Sequence, residues 1–267
     1  MIDPSEDQAA GLRRLFRRAP PTVVALFATG RSRAAIAVQA AYRIAGLAER
    51  VLVLDEASGD GSLARILDLP DGADLLSVLG GRVQATGLVQ PVPGLIGRVP
   101  VGAAALALPL LDDERRAGLV SALRSLQRGA GFVLIHSHGD AAADPSPFIF
   151  AAPRRLVVAE ASRSGATEAY QIIKRLAAAG AGSLHVAVAR ARSRAEATAF
   201  FESLDELVRG HVGVPLAWLG EIERDDLARG LRCDAAEASA REGEAAFLRR
   251  LAAFGRRRLA MQPGQGG

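Results

Sequence analysis

Residues 22–39, with the sequence TVVALFATGRSRAAIAVQ, constrain the fold more than any other stretch of the chain. They predict a buried strand, a tight turn at Thr29-Gly30 and a helix that begins near Arg33. A strand, a glycine turn and a helix N-terminus together form a common cradle for a phosphate group. A complete phosphate loop also carries further glycines, a lysine and a Ser or Thr. This turn has one glycine, two arginines and then alanines. The stretch therefore predicts one of two proteins. It is either a nucleotide hydrolase with an altered loop, or a protein that retains the strand, turn and helix but has lost the nucleotide site.

The rest of the chain alternates apolar strands with helices, most of them roughly 10 to 17 residues long, as in βαβ units. Further strands are predicted at 51–55, 131–135, 155–160, 183–190 and 214–219, and helices at 33–48, 112–128, 164–178, 193–209 and 224–231. Two short strands, at 88–92 and 95–99, are predicted in the Gly- and Pro-rich region. This pattern predicts a doubly wound, mostly parallel α/β sheet with helices on both faces.

The chain of 267 residues fits one large α/β domain with short additions at each end. The predicted parts are an N-terminal helix at 1–19, the α/β domain at 20–235, a basic amphipathic helix at 236–262 and a disordered tail at 263–267. The single cysteine, Cys233, excludes an internal disulfide and suits a reducing compartment. No segment reaches the ~18 to 20 continuous apolar residues of a membrane span. A cytoplasmic location is expected.

The positive charge of the chain rests on arginine, because Lys174 is the only lysine. A net charge of +4 and a pI near 10.1 permit contact with acidic lipids or nucleic acid. The arginines are scattered through the helices, however, and do not cluster on one predicted face. A specific nucleic-acid partner is therefore not expected.

The N-terminal segment DQAAGLR, at residues 7–13, is similar to the DQAxxLR motif of the FlhG/FleN family, which regulates flagellar number and placement. The order of the strands and helices also resembles that family and the wider MinD/ParA group of deviant P-loop ATPases. The matching parts are VLVLD ending at Asp55, FVLI before His136, EASRSGATEAYQIIK at 160–174, and WLG at 218–220. The resemblance implies contact with the flagellar GTPase FlhF through Asp7, Gln8, Leu12 and Arg13. It also implies flagellar switch or transcriptional regulator proteins as further partners.

The chain departs from the family where nucleotide chemistry takes place. The family loop has the form GKGGxGKT, whereas this chain has the shorter run Gly30-Arg31-Ser32-Arg33-Ala34. Arg31 and Arg33 stand where the family has lysines, and Ala34 stands where it has the Ser or Thr that binds Mg²⁺. Because the only lysine lies in a later helix, no realignment restores a lysine to the loop.

Three further family positions are also replaced. By the resemblance, Ala57 stands where the family has its catalytic Asp, His136 where it has the Walker B Asp, and Ala189 where it has the Asn that binds adenine. We therefore expect no catalytic residue and no cofactor, although ATP and Mg²⁺ serve the parent family. The expected protein is a pseudo-ATPase that acts through protein contacts. The alternative is an active, membrane-associated ATPase of MinD/ParA type with rearranged site residues.

The C-terminal helix leaves two interpretations open. Phe247, Leu248, Leu251 and Phe254 alternate with arginines, a pattern typical of a helix that lies on anionic lipid. The same residues could instead pack on the domain. The arginines at 256–258 are then the part that would touch a membrane.

Two polar groups at strand ends raise other possibilities. His136 and His138, with Asp140 beyond, have a spacing that could bind a metal, but polar loop residues filling a vacated site are the alternative, and we expect no metal. Asp55-Glu56 could supply a general base, or could accept hydrogen bonds from neighbouring loop amides.

Overall fold

The computed structural model describes residues 20–46, 49–137, 145–180, 183–233 and 246–254. Within these ranges seven strands form one parallel sheet in the order β3-β2-β4-β1-β5-β6-β7. The strands are β1 (Thr22–Ala28), β2 (Val51–Asp55), β3 (Gly97–Pro100), β4 (Phe132–His136), β5 (Arg154–Glu160), β6 (Ser183–Ala189) and β7 (Ala217–Glu221). The predicted doubly wound α/β sheet is confirmed.

Helices connect the strands and cover both faces of the sheet. The α-helices are α1 (Arg33–Ala45), α2 (Leu63–Ile66), α3 (Gly102–Ala107), α4 (Asp113–Leu126), α5 (Pro147–Ala151), α6 (Arg163–Ala178), α7 (Arg194–Val212), α8 (Leu227–Cys233) and α9 (246–253). Short 3₁₀ helices lie at Gly59–Gly61, Leu75–Gly80, Ala85–Leu88 and Leu108–Leu110.

The strands bury both of their faces, which explains their continuous apolar sequences. All seven residues of β1 are buried. Val23, Ala25 and Phe27 belong to the core cluster beneath α4, α6 and α7, whereas Val24 and Leu26 belong to the cluster beneath α1 and α8. This alternation follows from the two-residue period of a strand.

Side-chain caps fix where several helices begin. Asp112 accepts from the Arg115 amide at 2.8 Å, and Ser162 accepts from the Gly165 amide at 3.0 Å. Such caps satisfy backbone N–H groups that have no partner within the helix. At the start of α1, Ser32 makes no such bond through its side chain. The turn before α1 is therefore held by other contacts.

The Gly- and Pro-rich region differs from prediction. The predicted strand at 88–92 is wrong: its first residue ends a 3₁₀ helix, and only Gln90 forms an isolated bridge, to Arg98. Pro91 and Pro93 lack the amide hydrogens that a ladder needs. Helices α3 and α5 were not predicted, and both are short, so they offer little periodicity to detect.

Helix α9 packs on the domain. Phe247 and Leu251 are fully buried in the core cluster, and Leu248 lies against it. The Phe254 ring meets the Phe150 ring edge-on, with centroids 5.8 Å apart. Of the two interpretations of this helix, the structure supports packing on the domain. It contradicts a membrane-facing surface formed by Phe247, Leu248, Leu251 and Phe254, because these side chains pack in or against the core. Arginines 256–258 lie outside the described residues.

Candidate functional site

The carboxyl ends of four adjacent strands, β2, β4, β1 and β5, bring together the polar residues at the centre of the sheet. In parallel sheets of this kind, ligands bind beyond the carboxyl ends of the strands, where the chain direction along the sheet reverses. That reversal occurs at β1, since β4 and β5 flank it. The turn from Thr29 to Ser32 therefore occupies the position where a ligand is expected.

The turn after β1 is tight and internally bonded. Gly30 has φ of +87°, a conformation that glycine adopts without strain. The Thr29 amide donates to the Val158 carbonyl at 3.1 Å, and the Thr29 hydroxyl oxygen accepts from the Glu160 amide at 3.1 Å. Arg31 is exposed. These bonds tie the turn to the end of β5.

Two carboxylates of the chain itself lie at this turn. The Gly30 amide donates to Glu168 Oε2 at 3.0 Å, and Arg33 Nη2 lies 3.8 Å from the same oxygen. Glu160 lies so close to Gly30 that a Cβ placed on Gly30 would be 1.7 Å from Glu160 Oε2. That oxygen is buried and receives no hydrogen bond from the described residues. The position that a phosphate would take at a helix N-terminus is thus lined by negative charge.

Asp55, at the end of β2, is the centre of a second, fully buried cluster. Its Oδ2 accepts from Arg98 Nε at 2.7 Å, and from the Ser62 hydroxyl and the Leu63 amide at 3.0 Å each. Its Oδ1 lies 2.8 Å from His136 Nδ1. Arg98 also donates to the Ser62 hydroxyl at 2.7 Å. The carboxylate is therefore surrounded by donors on both oxygens.

This surrounding sets the ionisation of Asp55. Burial alone would raise its pKa, but the hydrogen bond and charge of His136, together with the charge and hydrogen bond of Arg98, lower the pKa below its usual value. Asp55 therefore stays ionised. The interpretation of Asp55 as a strand-end acid that bonds loop amides is confirmed by its contacts with Ala57 and Leu63.

Glu56 points to a different environment, in a cleft beside the sheet edge. Burial raises its pKa to about 7, a hydrogen bond from the Ser146 hydroxyl opposes the rise, and the charge of Asp55 adds to it. Ser146 also caps α5, since its hydroxyl oxygen accepts from the Ile149 amide at 3.1 Å. Glu56 is thus a titratable group near neutral pH, whereas the pKa of its neighbour Asp55 is lowered and Asp55 is ionised at that pH.

The remaining predicted positions lie as follows. Ala34 is buried in the first turn of α1, Ala57 is buried beside Asp55, and Ala189 is fully buried at the end of β6. Lys174 is exposed on α6. His138 and Asp140 lie outside the described residues, within which no group of three or more His, Cys, Asp or Glu could hold a metal ion.

Known proteins are similar to this chain in sequence or in fold. No model of a protein family matches it. The antiactivator FleN of Pseudomonas aeruginosa is 24% identical over 195 residues, which cover 73% of this chain and 70% of FleN. The MinC:MinD cell division protein complex of Aquifex aeolicus superposes with a TM-score of 0.53, at 18% identity, over 92% of this chain and 98% of that chain. The chain has the MinD/ParA fold and is similar in sequence to FleN.

A ParA family ATPase from Chlorobium tepidum also matches, with a TM-score of 0.48 and 14% identity, over 88% of this chain and 99% of that one. In this fold Gly30–Ala34 spans the turn between β1 and the first residues of α1. His136 is the last residue of β4. The fold thus brings His136 into contact with Asp55, while the shortened loop meets Glu160 and Glu168.

Sequence reasoning missed four residues of the site. Glu160 ends a strand at the same edge as Asp55, so the strand-end rule could have identified it. Glu168, Arg98 and Ser62 reach the site from a helix, a short edge strand and a loop. No sequence pattern indicates those three contacts.

The residues predicted to bind FlhF, namely Asp7, Gln8, Leu12 and Arg13, lie outside the described residues. Within the described part of the chain, no helix has the length and apolar character needed to cross a membrane.

Proposed function

We propose that this FleN-type chain regulates flagellar number or placement through protein contacts and does not hydrolyse ATP. Its relation to FleN, which is named an antiactivator, supports a regulatory role. Of the residue classes that phosphoryl transfer needs, the chain lacks a loop lysine, the hydroxyl at position 34 and the acid at position 136.

One observation carries the proposal: the chain fills its own phosphate position with carboxylates. Glu168 accepts a hydrogen bond from the Gly30 amide, and Glu160 occupies the space next to the Gly30 Cα. An ATP phosphate entering here would lose a backbone donor and face two acidic side chains. Repulsion between like charges rises steeply where water is excluded. Glu160 and Glu168 at this turn therefore do not fit the phosphates of a nucleoside triphosphate.

The acids near the site also do not fit Mg²⁺. Magnesium needs oxygen ligands with free lone pairs in an octahedral arrangement. Asp55 already accepts from Arg98, Ser62 and Leu63 on one oxygen, and its other oxygen faces His136. Binding a metal would require breaking that cluster.

The partners that fit this role are proteins of the flagellar system. We propose an FlhF-type GTPase, bound through Asp7, Gln8, Leu12 and Arg13, and a transcription regulator or switch component. The named role of FleN as an antiactivator favours a transcription activator among these. Since two family subunits are joined by bound ATP, loss of ATP binding would remove that switch and leave a constitutive monomer, a constitutive dimer or a partner-driven heterodimer.

Counting flagella by electron microscopy tests the regulatory role. Deleting the gene should change the number or position of flagella, and the wild-type gene should restore them. Arg31→Ala, at the exposed turn, should restore them equally well, whereas Gln8→Ala with Leu12→Ala should not. Normal flagella in the deletion strain would contradict the role.

A binding assay tests the nucleotide part of the proposal separately. Millimolar Mg·ATP should leave the melting temperature unchanged, since only a bound ligand stabilises the folded state. The ParA family ATPase of Chlorobium tepidum serves as the positive control. Hydrolysis above a blank without protein, or a clear shift in melting temperature, would instead support an active ATPase with rearranged residues.

A further inference from the structure

A cleft of about 690 Å³ opens at the carboxyl edge of the sheet, on the side of β2, β3 and β4. Its walls come from the ends of these strands and from α2, α3, α5 and α6. None of its lining residues belongs to the turn after β1. Ligand sites in proteins typically have volumes of about 300 to 1,000 Å³ and form where several elements converge. The cleft has the size and construction of such a site.

The lining of the cleft is mainly apolar. Phe27 and Ile149 form part of it near the sheet, and Ile172 and Leu176 contribute from α6. Ile149 and Ile172 are buried, so they present fixed surfaces. An apolar ligand body would be desolvated against these side chains, which is the main favourable term in binding to such a cleft.

Charged residues also line the cleft, and most are already engaged. Besides Glu56 they are Asp55, Asp71, Asp74, Arg65, Arg98 and Arg175. Arg98 is paired with Asp55, and Arg65 is paired with Asp60. Asp74 accepts from the amides of Leu76, Ala103 and Ala104. Asp71 is exposed.

Glu56 differs from these groups. Its Oε1 accepts from the Ser146 hydroxyl, a neutral donor, and no arginine of the described residues forms an ion pair with it. His136 bonds to the neighbouring Asp55. Burial raises the pKa of Glu56 to about 7. Among the described residues Glu56 has no ion-pair partner, and a buried carboxylate in such a position is a group that a bound cation would stabilise.

We propose that this cleft is a binding site for a small organic cation, with its ammonium group beside Glu56 and its apolar body against Phe27, Ile149, Ile172 and Leu176. The site lies outside the turn after β1, so the proposal does not depend on whether the chain binds ATP. Leu106, which is 79% exposed, lies at the opening and extends the apolar surface. The volume of the cleft, about 690 Å³, favours a ligand that enters it over a protein surface that only covers it.

Calorimetry with a matched pair of ligands tests the proposal on the full chain. The probes are 4-phenylbutylamine and the neutral 4-phenylbutanol, which differ only in the group that would meet Glu56. The amine should bind wild-type protein at least about tenfold more tightly, a difference of about 1.4 kcal/mol. Equal affinities for the amine and the alcohol would overturn the proposal.

Two variants locate the interaction. Glu56→Gln should remove the preference for the amine, because it keeps the acceptor for Ser146 but cannot become charged. Glu202→Gln, on an exposed position of α7, should keep the preference. A preference that persists in Glu56→Gln would overturn the proposal. Binding of the peptide acetyl-Leu-Lys-Leu-amide without binding of the amine would also overturn it, because the cleft would then recognise a peptide and not a small organic cation.

Proton release gives a second measurement that needs no variant. At neutral pH, Glu56 is about half protonated, while the amine stays charged because its pKa lies near that of lysine. Binding should therefore release roughly half a proton, detected as a heat that depends on the buffer. Binding without proton release would overturn the assignment to Glu56.

Discussion

Glu160 Oε2 occupies the space that a side chain on residue 30 would need, since a Cβ on Gly30 would lie 1.7 Å from it. Gly30 also has φ of +87°. The glycine is therefore required twice, by its own conformation and by the glutamate above it. The turn after β1 therefore accommodates an acidic side chain of the same chain.

Gly30→Ala should destabilise the protein by about 3 kcal/mol, because it combines a strained backbone with an overlap. Gly213→Ala is the matched control: its φ is +78°, but nothing lies within 4 Å of the added Cβ. The control should cost only about 1 kcal/mol. Denaturant unfolding measures both. Adding Glu160→Ala to Gly30→Ala should recover part of the loss, and equal losses in the two single variants would contradict the overlap.

Asp55→Asn should destabilise the protein by about 3 to 5 kcal/mol, since it leaves the buried Arg98 without its counter-charge. Asp60→Asn is the control, because it removes an equivalent but exposed pair with Arg65 and should have little effect. Urea unfolding of both variants at neutral pH provides the comparison. A similar small loss in both would show that the buried cluster does not hold the sheet edge together.

The cluster around Asp55 also makes the free energy of unfolding depend on pH. The pKa of Asp55 is lowered in the folded state, so its contribution to stability is present above the unfolded value near 4 and is lost as pH falls through the folded pKa. Acid titration of the unfolding free energy should show this loss in wild-type protein. In Asp55→Asn that part of the slope should be absent.

The sequence predicts the strands and helices of this protein better than the contacts within its candidate site. Apolar runs such as 22–28 and 131–135 predicted strands because burial on both faces leaves no polar position within them. Asp55 and His136 were identified because they end such strands. Their mutual contact, and the capture of the Gly30 amide by Glu168, depend on the order of strands and on where α6 lies. Those are tertiary relations that local patterns do not encode.

Glu56→Gln should stabilise the protein at alkaline pH. The pKa of Glu56 is raised from 4.5 to about 7 in the folded state. Between these two values the folded state holds a proton that the unfolded state has released, so wild-type stability falls as pH rises from 4.5 to about 7. Glutamine avoids the buried charge. The gain should be about 1 to 3 kcal/mol near pH 8 and close to zero near pH 5. Thermal unfolding across that range checks it, and a gain that does not vary with pH would contradict the role of ionisation.

Phe247→Ala decides between packing and lipid contact for the C-terminal helix. Phe247, on α9, is fully buried against the domain, so its removal should leave a cavity and cost about 3 to 5 kcal/mol without any lipid present. Ala253→Ser, on the exposed side of the same helix, should have little effect. Unfolding in buffer gives the stability, and flotation with anionic vesicles gives the lipid contact. A helix that serves the membrane would show the opposite result: Phe247→Ala would leave stability unchanged in buffer and abolish flotation, because its apolar face would then be covered only by lipid.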